Sequence, residues 1–107
     1  MEGAFERQAK LWMAWSVKTF EKANSFSSLD KAGHELLELK QAVVYSLDKK
    51  WVLYEYVDVM MCLLHSAAQE GFTIEQITEA FKEKAAINFE REWILDKSGN
   101  TYSHKKK

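Results

Sequence analysis

Two acidic pairs hold the chemistry this chain could perform: Glu35 and Glu38 in His-Glu-Leu-Leu-Glu, and Glu55 and Asp58 in Glu-Tyr-Val-Asp. Residues three apart in a helix lie one turn apart on the same side, so each pair would aim two carboxylates at a common point. If the two helices run antiparallel, four carboxylates share one pocket. Glu55 and Asp58 sit among Val52, Leu53, Val57, Val59, Met60, Met61, Leu63 and Leu64. That context predicts a helix buried nearly all round, where an unpaired carboxylate is costly. Hard oxygen donors suit Mg²⁺ or Mn²⁺, and a four-acid site could hold two such ions, whose charge would offset both the acids and the phosphates of a substrate. Acids at i and i+3 are also what an ordinary solvated helix face carries. Two pairs on adjacent helices, one of them in apolar surroundings, point instead to metal-dependent phosphate chemistry.

Other side chains extend the picture. Cys62 and His65 continue the face of Glu55 and Asp58, at offsets of seven and ten from Glu55. His65 lies about 10 Å along the axis from Asp58 at the helical rise per residue, too far for the same ion but suited to the sugar or base of a nucleotide; a satisfied core histidine would look the same. Cys62 reads as packing. Further on, Lys84, Asn88 and Arg91 share one helical face. Two cations and an amide in a row can grip phosphate oxygens, arginine bidentately, although a solvated charged face has the same composition. Trp93 could stack on a base or cap the core.

The elements that must position these groups are helical. There is no proline, and the four glycines stand at 3, 33, 71 and 99, leaving long stretches without a strong breaker. The spacing predicts a helix over 5–23, with Leu11, Trp12, Trp15 and Phe20 near helical period, and a second over 28–47 with Ser28 as N-cap and an apolar stripe of Ala32, Leu36, Leu39, Val43 and Leu47. A third, central helix runs from 51 to about 69 and is ended by Gly71; a fourth, over 74–92, opens on a capping box of Thr73 and Gln76. Ile94-Leu95 and Thr101-Tyr102, flanking Asp96-Lys97-Ser98-Gly99-Asn100, suit a short hairpin or an ordered loop. The expected architecture is an all-α four-helix bundle with a short C-terminal hairpin or loop.

Composition narrows the function. A chain of 107 residues fits one domain, and 47% hydrophobic residues argue against disorder. A net charge of −1 and a pI near 6.3 argue against binding nucleic acid, which needs a basic face. Cys62 is the only cysteine, which excludes an intrachain disulfide and a cysteine-based zinc cluster and fits a reducing compartment. The start, MEGAFERQAKLW, lacks the features of a signal peptide, and no apolar run approaches the roughly 20 residues of a membrane span. The expectation is a cytoplasmic protein with neither nucleic acid nor membrane as partner. Four Trp, four Tyr and six Phe exceed the needs of one short core, which points to a ligand or a second subunit. Trp12, Trp15 and Phe20 are candidates for a base pocket, and equally for core or interface.

With these residues in view, the chain resembles the MazG-like all-α nucleotide pyrophosphohydrolases, whose hallmark is an E-x-x-E helix followed by an E-x-x-D helix, here Glu35 to Glu38 and Glu55 to Asp58. The ending K-A-A-I-N-F-E-R-E-W at 84–93, followed by Gly99 and His104, looks like the short dATP/dGTP diphosphohydrolase branch often found in phages. The resemblance implies Glu35, Glu38, Glu55 and Asp58 as catalytic metal ligands for Mg²⁺, with Mn²⁺ as a substitute. It implies Lys84, Asn88 and Arg91 near the phosphates; Trp93, His65 and His104 are further candidates for substrate contact, His65 standing where the family pattern would have an acid or amide. The implied substrate is a nucleoside triphosphate, dATP or dGTP, cleaved to monophosphate and pyrophosphate by a homodimer or tetramer, in the host cytoplasm where a phage encodes it. His34 stands where fuller patterns have a further acid and is left out of the ligand set. Two alternatives remain: a non-enzymatic helical interaction module, and a zinc protease read from a degenerate H-E-x-x-H, for which the second histidine is missing. Metal and nucleotide dependence separate all three.

Overall fold

The computed structural model describes residues 2–105. Four helices, α1 (Ala4–Thr19), α2 (Ser25–Tyr45), α3 (Lys49–Gln69) and α4 (Ile74–Glu90), precede two short strands, β1 (Trp93–Leu95) and β2 (Tyr102–His104). The all-α expectation holds, and of its two endings the chain adopts the hairpin. The helices and strands fall into two units, one formed by α1 to α3 up to Ile74 and a second from Glu75 onward.

In the first unit, side-chain hydrogen bonds fix the direction of each helix. Trp12 Nε1 donates to the Met61 carbonyl at 2.9 Å and Ser16 Oγ meets His65 Nδ1 at 2.7 Å; four residues along α1 match four along α3, so the two helices run parallel. Ser66 Oγ donates to the Ser25 carbonyl and Ser28 Oγ to Gln69 Oε1, joining the start of α2 to the end of α3. Because a three-residue turn joins the end of α2 to the start of α3, the two helices are antiparallel, as the four-acid pocket required. The turn between them, Ser46-Leu47-Asp48, is held by Asp48, whose carboxylate accepts from the amides of Lys50 and Trp51 and caps α3.

Several boundaries differ from expectation because of capping. α2 starts at Ser25, three residues before the expected Ser28 cap: Asn24 accepts from the Ser27 amide at 2.8 Å while Ser27 Oγ accepts from the Asn24 amide, a reciprocal box. Ser28 is instead buried against Gln69. Asn24→Ala should therefore lower stability by about 1 kcal/mol, measured by urea denaturation, while Asp30→Ala, on an exposed site in the next turn, should change it little. At the far end of α3, Gly71 takes φ 91°. Its amide donates to the Ala68 carbonyl and that of Phe72 to Ala67, the pair of bonds that closes a helix on a left-handed glycine.

The core is narrower than the apolar stripe suggested. On α2 the buried side chains are Ser28, Ala32, Leu39 and Ala42, whereas Leu36, Val43 and Leu47 are exposed, Leu47 by 98%. Three of these four buried residues, Ser28, Ala32 and Ala42, are small, which lets α2 and its neighbour approach closely. α3 itself is not buried all round: Val52, Glu55, His65 and Ser66 are buried, but Leu53, Met60 and Leu63 are exposed.

In the second unit β1 pairs antiparallel with β2 in the register Trp93 to His104, Ile94 to Ser103 and Leu95 to Tyr102. Asp96 organises the connecting turn: its carboxylate accepts from the Ser98 hydroxyl and amide, and these bonds hold its acidity stronger than usual. Gly99 supplies the φ of 80° that the turn needs.

Candidate active site

The antiparallel pairing of α2 and α3 brings Glu35, Glu55 and Asp58 together, with one carboxylate oxygen of each within 4.8 Å of the others. Glu55 is buried, Glu35 half-buried and Asp58 exposed, so the cluster opens from the helix interface outward. Glu38 is not among the three converging acids. One turn along α2, it lines an adjoining groove with Glu55, Gln41 and Trp51. Glu55 Oε2 is sealed from solvent without a hydrogen-bond partner. Burial and then the charges of Asp58, Glu38 and Glu35 push the Glu55 carboxyl above the usual carboxylate range. A buried, unpartnered oxygen beside two further carboxylates is what a cation would satisfy, and an all-oxygen donor set fits Mg²⁺ or Mn²⁺.

Two acids of the cluster, Glu35 and Asp58, line a cleft of about 430 Å³ together with Trp12, Phe20, Ala23, Met61 and His65, while Glu55 lies outside it. Two acids and an apolar, aromatic remainder suit a ligand that is charged at one end and flat at the other. Phe20 and Trp12 meet edge to face, and Phe20 also packs edgewise on His65. Of the three aromatics considered for a base pocket, Trp12 and Phe20 line this cleft, while Trp15 lies in a separate apolar groove. Cys62 is also on the cleft wall, with its thiol pushed up by burial and the nearby Glu35, which keeps it protonated and unreactive.

Lys31 was not evident from the acidic pairs. Its ammonium lies 3.0 Å from Glu35 Oε1 and it lines the same cleft; the bond to Glu35 raises its pKa. Its position four residues before Glu35, the spacing of a helical ion pair, was the available signal. The contact between His65 and Ser16, across 49 residues, has no local signature.

The remaining predicted residues lie in the second unit. Arg91 Nη1 donates to Asn88 Oδ1 at 3.0 Å, and Trp93 Nε1 donates to the Asn88 carbonyl at 3.1 Å. Trp93 meets His104 edge to face across the hairpin. Lys84 is exposed on α4, one turn before Asn88. Asn88 and Arg91, on one face by spacing, are thus bonded to each other, and the hairpin brings Trp93 against His104. Among the described residues, no helix is long and apolar enough to cross a membrane.

Comparison with known proteins agrees with this chemistry. No curated protein and no solved structure matches the chain, but the family described as dATP/dGTP pyrophosphohydrolase matches residues 8–107. That span includes both acidic pairs, the cleft and the hairpin. The chain therefore belongs to the dATP/dGTP pyrophosphohydrolase family, enzymes that hydrolyse an acid anhydride.

Proposed function

We propose that the chain is a Mg²⁺-dependent pyrophosphohydrolase that converts dATP or dGTP to the monophosphate and pyrophosphate. The observation that carries this is the convergence of Glu35, Glu55 and Asp58 within 4.8 Å beside an aromatic cleft. These three, with Glu38 beside Glu55, would hold the metal, with Mn²⁺ able to replace Mg²⁺; bound there, it would supply Lewis acidity at the phosphate oxygens and make water a better nucleophile at neutral pH. The chain's own groups do the rest. A carboxylate of the cluster takes the proton from the attacking water as its oxygen bonds to phosphorus and the bond to the pyrophosphate oxygen breaks. Trp12, Phe20 and Met61 exclude water from the base. Lys84, Asn88, Arg91, Trp93 and His104 provide the second unit's face for phosphate and nucleotide contacts, Arg91 held in place by Asn88.

Lys31 has two roles in this scheme. Its ammonium pairs with Glu35; were that carboxylate to hold a cation, the ammonium would be available to a phosphate oxygen. Because Lys31 is largely exposed, the effect is modest. Lys31→Met should tighten Mn²⁺ binding about two- to fivefold, read by electron paramagnetic resonance titration of the nucleotide-free chain, and raise KM for nucleotide with little change in kcat. Unchanged Mn²⁺ affinity would remove Lys31 from the site.

The chain also leaves a separate apolar groove between α1 and α3, lined by Phe5, Leu11, Trp15, Val57, Met60 and Leu64. An exposed patch of this kind marks an interaction surface, and we assign it to assembly of a homodimer or tetramer. Sedimentation velocity tests it: Leu11→Glu or Met60→Glu should lower the sedimenting mass.

A further inference from the structure

We infer that Ser16 and His65 form a base-reading pair, in which Ser16 fixes the imidazole so that His65 Nε2 offers a bare acceptor to the exocyclic amino group of a purine. This rests on the nucleotide-hydrolase assignment above and specifies how its cleft recognises the base.

Both side chains are buried, Ser16 completely and His65 to 6% exposure. The Ser16 hydroxyl carries a single proton, and its oxygen lies 3.1 Å from the Met13 carbonyl, an acceptor that can only receive it. Once that proton is used, Ser16 Oγ can meet His65 Nδ1 at 2.7 Å only as acceptor, so the imidazole proton sits on Nδ1 and Nε2 keeps its lone pair. Burial also lowers the His65 pKa, so the ring stays neutral at pH 7 and Nε2 stays an acceptor.

Nε2 has no partner and is sealed from solvent. An unsatisfied buried polar atom is unusual and costs free energy. Among the described residues lining the cleft, His65 holds the only such atom. Trp12 lines the cleft beside it and Phe20, at 43% exposure, packs edgewise on the His65 ring, so a base reaching Nε2 would require the side chains that seal it to give way. A flat heterocycle carrying an N–H donor fits these surroundings, with its rings against the aromatics and its amino hydrogen on Nε2. Adenine carries its exocyclic amino group at C6 and guanine at C2, so the acceptor would meet the two bases in different orientations.

The test compares dATP with the deoxynucleoside triphosphate of unsubstituted purine, which lacks only the 6-amino group. A site built around a buried acceptor should prefer dATP by about 10- to 100-fold in kcat/KM. In His65→Leu the ratio should fall to within about twofold, and in Ser16→Ala it should fall part of the way. Long-range ¹⁵N spectra of the unaltered protein at pH 7 should show His65 protonated on Nδ1 alone, a readout independent of whether either variant folds. A proton on Nε2, or a ratio near one in the unaltered protein, would overturn the pair as base reader while leaving the hydrolase intact. Absence of turnover with every triphosphate would overturn both.

Discussion

Replacing Glu55 with glutamine should lower turnover by on the order of a thousandfold, the loss of several kcal/mol of transition-state stabilisation, and yet raise the melting temperature of the metal-free chain at pH 7. The two effects have one cause. Glu55 is buried, one oxygen is unpartnered, and three other acids lie close enough to raise its pKa. The folded chain therefore binds the Glu55 proton more tightly than the unfolded chain does. By linkage, a carboxyl with a raised folded pKa disfavours the folded state above that pKa, and the penalty disappears as pH falls through it toward the ordinary 4.5. Glutamine removes the charge at similar volume, so its stabilising effect should shrink as pH falls toward 4.5.

Metal should reverse the order. A ligand that binds only the folded state stabilises by about 2.7 kcal/mol at a hundredfold excess over its Kd, so Mg²⁺ should raise the melting temperature of the unaltered chain and leave Glu55→Gln nearly unmoved. Asp58→Ala should be equally inactive, with helix content unchanged because Asp58 is exposed. Thermal melts followed by circular dichroism, with Mg²⁺ and with chelator, check both variants; a Glu55→Gln chain that is less stable without metal would mean that Glu55 serves the core and not a cation.

Leu39→Ala should be the most damaging apolar truncation on α2, costing about 2–5 kcal/mol. Leu39 is the one large apolar side chain buried on that helix, where its buried neighbours are Ser28, Ala32 and Ala42. A domain of this size has about 5–15 kcal/mol in total, so the melting temperature should fall by at least about 10 °C. Activity should be lost at temperatures where the unaltered chain still works, because α2 carries Glu35 and α3 carries Glu55 and Asp58. Leu47→Ala is the contrast. Leu47 lies outside the helix and is 98% exposed, so its truncation should change stability by less than about 0.5 kcal/mol. Urea denaturation of the two variants side by side measures the difference.

Leu39 and Leu47 also mark where sequence stops being informative. Helical period places both on one apolar stripe, yet α2 ends at Tyr45 because Asp48 caps the next helix. Which apolar residues are buried was decided by partners distant in sequence: α2 buries Ser28, Ala32, Leu39 and Ala42 and leaves Leu36 and Val43 outside. The four helices and the closing hairpin were legible because breakers are few and the turn signals around Gly71 and Gly99 require left-handed backbone that both glycines adopt. The acidic pairs were legible because spacing of three on a helix is a local property. It specified that each pair shares a side, and antiparallel pairing did bring three of the four acids together, but the depth of Glu55, the outward position of Asp58 and the offset of Glu38 depend on how α2 and α3 interlock. Lys31 could have been read from its spacing to Glu35; the bond between His65 and Ser16 could not.

The most direct test of the central claim is pyrophosphate release from a panel of ribo- and deoxynucleoside triphosphates with Mg²⁺, with Mn²⁺ and with chelator. Release of one pyrophosphate per monophosphate from dATP or dGTP, present with either metal and absent with chelator, is the expected result. Silence across the panel under every metal condition, or release that chelator does not reduce, would contradict a metal-dependent nucleotide hydrolase built on Glu35, Glu55 and Asp58.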